Sequence, residues 1–171
     1  MATGDLDLQW AADVNLTITL ASLATDANLL TGRESAAVVS SSQSFVTDFL
    51  LSGQVTAGTS PTADKQIQIL VYAQIDDTPT YPDFFDGTDS AETITSANVK
   101  TSAVRFAAIM PTDSTSDRNY PFGPISVAAL FGGVLPERWG VFVTHNTAVN
   151  LNSTGSNHLI RAVPVYGNVA A

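Results

Sequence analysis

Ile67, Ile69, Val71, Ala73 and Ile75 alternate with Gln66, Gln68, Leu70, Tyr72 and Gln74, the period of two that marks extended chain. The middle of this run is apolar on both faces, which predicts a strand placed centrally in a sheet. The same period returns where Val14, Leu16, Ile18 and Leu20 are separated by Asn15, Thr17 and Thr19. Trp139, Val141, Val143 and His145 form one face of another strand, opposite Arg138, Phe142, Thr144 and Asn146. Leu159, Val163 and Val165 belong to a further strand near the C-terminus, where Pro164 argues for an edge position. Weaker runs cover Glu34 to Val39, Phe45 to Val55, Val99 to Met110 and Phe122 to Leu130.

Helical spacing is scarce. The best stretch, Leu20 to Leu30, is broken by Asp26 and Asn28 and followed by Gly32. The expectation is an all-β, antiparallel β-sandwich of about eight or nine strands, jelly-roll-like in topology. With neither an internal repeat nor a linker, residues 1–171 read as a single domain.

Charge narrows the function classes. Sixteen acids against seven bases give a net charge of −9, and the bases are scattered. Nucleic acids and anionic membranes are recognised by clustered Lys and Arg, so neither is an expected partner. Absence of cysteine excludes disulfides, zinc–thiolate sites and thiol catalysis. No apolar run approaches the length of a membrane span, and Met1 to Asp5 lacks the basic-then-apolar order of a signal peptide. Synthesis in a cytoplasm, without a cleaved signal, is the expectation. Only 13% of residues are charged, below the roughly 25% usual for soluble domains. A surface rich in Ser and Thr suits β-structure and suits coverage by neighbouring chains.

Three connections are expected between strands: Gly53 to Asp64, Asp76 to Glu92 and Pro111 to Pro124. The second holds Tyr81, Phe84 and Phe85, and the third holds Tyr120 and Phe122. Aromatics in loops need a surface to pack on, and these five are the candidate partner-binding residues.

Catalytic and metal chemistry finds little support. Asp76 to Glu92 carries six of the 16 acids and no base, but lacks the alternating ligand spacing of an EF-hand. It reads as a solvated loop with an Asp86-Gly87 turn and Asx caps, so no metal is assigned. The same acids do not define the flanking carboxylate pair of a glycosidase. His145 and His158 lack a Gly-x-Ser-x-Gly nucleophile or further ligands, and both read as structural. Gly132-Gly133 reads as a tight turn, since no Lys-Ser/Thr follows to complete a phosphate loop. Asn15-Leu16-Thr17 and Asn152-Ser153-Thr154 are glycosylation sequons by letter only. No cofactor and no enzymatic activity are expected.

Four segments carry a family resemblance. Tyr72-Ala-Gln-Ile-Asp-Asp-Thr-Pro-Thr-Tyr-Pro-Asp83, Tyr120-Pro-Phe-Gly-Pro-Ile-Ser-Val127, Arg138-Trp-Gly-Val-Phe-Val-Thr-His-Asn-Thr147 and Gly155-Ser-Asn-His158 resemble small virion structural proteins of tailed bacteriophages. The resemblance runs from Leu23 to the C-terminus and brings no catalytic residue with it. It implies capsid decoration, or cement: attachment to the outer surface of the major capsid lattice, with the major capsid protein as partner. Self-association as a dimer or trimer would follow lattice symmetry. Assembly would occur in the host cytoplasm. On this reading the aromatic loops, or the terminal segments, dock on other subunits. The alternative is a tail or fibre domain recognising host-surface glycan, with Trp10 or Tyr81 exposed beside polar loops and Ca²⁺ at the acidic loop.

Overall fold

A computed structural model describes residues 6–42 and 45–169. The expectation that terminal segments dock on neighbours therefore lies largely outside the described residues. In chain order the elements begin with β1 (Leu6–Trp10), β2 (Val14–Asn15), β3 (Thr31–Glu34), β4 (Val38–Val39) and β5 (Val46–Thr56). They continue with β6 (Lys65–Ala73), β7 (Ala91–Thr93), α1 (Ala97–Ala103), β8 (Arg105–Thr112) and β9 (Asn119–Ser126). A single turn, α2 (Val127–Leu130), precedes β10 (Arg138–His145) and β11 (Leu159–Val169).

The strands form two antiparallel sheets. One runs β1-β11-β5-β9, with β2 also pairing β11; the other runs β7-β3-β10-β6-β8, with β4 also pairing β10. The pairs β1·β11, β3·β10, β5·β9 and β6·β8 nest inside one another along the chain. They amount to one long hairpin ribbon whose successive segments alternate between the two sheets. The all-β sandwich expected from the alternation is what the chain forms.

Inward-facing residues of both sheets make the main core. Phe49, Leu51 and Val55 of β5 and Ile160 and Ala162 of β11 meet Ile67, Ile69 and Val71 of β6 and Trp139, Val141 and Val143 of β10. Trp139 and Phe49 pack with ring centroids 5.4 Å apart. Burying side chains of this size stabilises by about 1.5–3 kcal/mol each, which makes this layer the main driving force for folding. The outer face of β6 and β10 is covered too. Leu70, Tyr72 and Phe142 pack under Phe85, Ile94 and Val104, which belong to the β6–β8 connection and the residue that ends it. The apolar middle of β6 is explained by these two layers.

Several local expectations are corrected. Leu20 to Leu30 is not helical: the Asp26 carboxylate accepts from the backbone of Asn28, Leu30 and Thr31, fixing a loop. The helix lies instead at Ala97–Ala103, overlapping the start of the Val99 to Met110 run read as extended, because the Ser96 hydroxyl accepts from Val99 N and caps it. Of Val14 to Leu20 only Val14–Asn15 is laddered, although Leu16 and Leu20 are buried as alternation requires.

Pro164 is not on an edge, since β11 is paired on both sides. Its carbonyl accepts from Ala11 N, so its nitrogen faces the gap between β1 and β2, where a missing donor costs little. The connection expected from Gly53 begins only after Thr56. Gly53 lies in β5 at a register shift, and a Cβ there would come 2.0 Å from the Leu159 carbonyl oxygen. Likewise Tyr120 and Phe122 lie in β9 rather than in a loop; β9 is an edge strand, which is why it accommodates Pro121 and Pro124.

Candidate interaction surface

Tyr72 organises the loop that follows it. Its ring projects from the outer face of β6, and Phe85 stacks on it at 4.4 Å with an interplanar angle of 1°. Phe85 also meets Phe142 edge-on at 5.3 Å, and Tyr81 meets Tyr72 edge-on at 5.5 Å. The Tyr72 hydroxyl donates to the Ser35 carbonyl at 3.0 Å, and burial pushes its pKa up. The loop is therefore pinned onto the sheet by aromatic packing.

The five candidate residues thus separate. Phe85, Tyr120 and Phe122 are buried within their own chain, the last two in the main core. Tyr81 is half-buried against Tyr72. Only Phe84, 62% exposed, is free for a partner. Beside it runs an open groove whose lining includes Ile75, Pro82, Asp83, Val99, Ala103 and Phe131. Ile75 is 68% exposed, and Val134, just beyond Phe131, is 73% exposed. Gln74 also lines the groove: its Nε2 donates to Glu137 at 3.2 Å, and its buried Oε1 has no hydrogen-bond partner among the described residues.

Of the loop's six acids, five accept hydrogen bonds within the chain. Asp76 accepts from Thr78 and Thr80 N, and Asp86 accepts from Thr88 N, the Asx caps expected from the sequence. Asp83 holds Thr95 through N and Oγ1 at 2.7 and 2.6 Å. Asp89 is bound by the Arg33 guanidinium at 2.6 Å and by Thr19. These hydrogen bonds hold Asp76, Asp86 and Asp89 below the usual carboxylate range, Asp89 despite its burial.

Glu34, a residue the sequence did not single out, joins the loop from β3. It is fully buried and accepts from Asp86 N, Gly87 N and Ser90 Oγ at 3.0 to 3.3 Å. Desolvation nonetheless raises its pKa. Carboxylate oxygens of Glu34, Asp86 and Glu92 lie within 4.8 Å of one another. The donors already on Glu34 account for this convergence as a loop anchor.

Both histidines are structural in their contacts. His145, buried, has Nδ1 3.0 Å from Thr147 Oγ1 and Nε2 3.0 Å from the Leu23 carbonyl. His158 Nε2 lies 2.9 Å from the Asn152 carbonyl, and its Nδ1 accepts from Thr56 N. Lys100 on α1 is a second feature hidden from the sequence. Its ammonium, buried under the helix, donates to Gln68 Oε1 at 2.6 Å and to the Leu29 carbonyl, and burial lowers its pKa to about 8. It clamps α1 onto β6.

No protein-family model matches this chain, and neither does any curated protein or solved structure.

Proposed function

We propose that this chain is a non-enzymatic structural protein of a tailed-phage virion, a capsid decoration protein that binds the outer surface of the major capsid lattice. The nested order of its strands favours a jelly-roll reading, a form that viral shells use repeatedly. The acidic loop, the histidines and Lys100 serve internal contacts, and that use favours a scaffold over a catalyst.

The observation that carries the reading is the groove with its exposed rim. Ile75 in its lining and Phe84, next in sequence to the lining residue Asp83, are bulky, apolar and exposed on a chain of net charge −9. Exposed apolar anchors of this kind are what a protein partner buries. Each contact would be weak alone, and repetition over a symmetric shell supplies avidity. A chain with Phe84→Asp and Ile75→Asp should fold normally yet fail to co-sediment with capsids that lack the native protein. Undiminished co-sedimentation of the folded variant would contradict the assignment of this face.

A further inference from the structure

Sheet edges invite pairing with other chains, and proteins normally blunt them with proline, bulges, charge or shortness. Three of the four edges in this sandwich are blunted. β9 carries Pro121 and Pro124, β7 is three residues long and includes Glu92, and β8 has a register shift beside Phe106 and ends at Pro111 and Thr112. The fourth, β1, is longer than β7 and has no proline and no register shift; its one charge is Asp7, and among the described residues it pairs only with β11. Leu8 and Trp10, two apart and so on one face, are 51% and 62% exposed.

The backbone direction of β1 is fixed by one bond. Ala11 N donates to the Pro164 carbonyl, so by the period of two Gln9 and Asp7 also face β11. The N–H and C=O of Leu8 and Trp10 therefore point away, along the open edge. We propose that β1 is the dimer interface of this protein: a second copy pairs antiparallel with it about a twofold axis at Leu8.

That register is self-complementary. Leu8 lies opposite Leu8 of the second copy, and the two exchange both outward backbone bonds. The two Trp10 side chains flank them on the same face. Asp7 falls opposite Gln9 on the other face, so each carboxylate meets an amide and not a second carboxylate. Within one chain the Gln9 amide already reaches Asp7 Oδ2 at 3.3 Å, so its length and polarity suit that contact. The result is one sheet running through both copies, with an isologous interface that closes at two. This inference does not depend on the virion reading.

Sedimentation velocity of the full chain should give a species of about twice 17.9 kDa, reversible on dilution. Leu8→Pro removes an outward donor and leaves the bonds to β11 in place; it should yield a monomer with an unchanged thermal midpoint. Gln9→Asp should weaken the dimer by setting carboxylates opposite each other, and Gln9→Lys should tighten it. The two Gln9 variants decide the matter if Leu8→Pro lowers the midpoint. A wild-type monomer at all concentrations, a trimer, or a dimer indifferent to both Gln9 substitutions would overturn the proposal.

Discussion

Phe84 and Phe85 are neighbours with opposite fates. Phe85 sits between Tyr72 and Phe142, so Phe85→Ala should cost about 3–5 kcal/mol in urea unfolding. Phe84→Ala, at an exposed position, should stay within about 0.5 kcal/mol of wild type. Equal effects would contradict the packing described. Sequence singled out both residues as docking groups because a loop offers no periodicity to say which side chain turns inward. The deciding group is Tyr72, whose ring projects from the outer face of β6. Titration gives a second test at this scale. Burial lowers the pKa of His145 and His158 below 6.5. A base so depressed binds fewer protons folded than unfolded, so its contribution is full above about pH 6.5 and is lost as pH falls below it. Thermal midpoints of the His145→Gln, His158→Gln double variant should therefore fall less than wild type between about pH 6.5 and pH 5. A steeper fall in the variant would refute the buried neutral state.

At the scale of elements, strands with strong alternation were legible and short pieces were not. β6 and β10 are long enough for the pattern to repeat, and the central placement of β6 followed from apolar residues on both its faces. The seven-residue α1 escaped notice because it spans under two turns and carries Val99 and Thr101, residues that favour strands. Its one start signal is Ser96. Ser96→Ala should cost about 1 kcal/mol and speed amide exchange through Ala97–Ala103 without changing exchange in β10. An unchanged exchange rate in α1 would show that the cap is not what starts the helix. The edge reading of Pro164 failed for a different reason: whether a missing donor matters depends on what faces it, and that is a property of the partner strand. The sandwich expectation and the two antiparallel sheets observed agree because alternation and turn spacing constrain how many strands must find a partner sheet.

For the whole molecule, the candidate surface was only partly readable. Sequence placed docking aromatics in the Asp76 to Glu92 connection, where Phe84 is indeed exposed. The groove beside it could not be anticipated, since Ile75, Val99 and Phe131 come from three separate stretches brought together by the rolled ribbon. Glu34 met its loop partners by the same route. The open groove with exposed Ile75, and the edge strand β1 that is open among the described residues, are the features on which the two proposals rest. The proposed virion role is tested most directly by cryo-electron microscopy of virus particles purified from cells that express this chain. Density for the sandwich should lie on the outer shell, with the face bearing Ile75 and Phe84 toward major capsid subunits. Density confined to the tail, or none on the particle, would contradict the account.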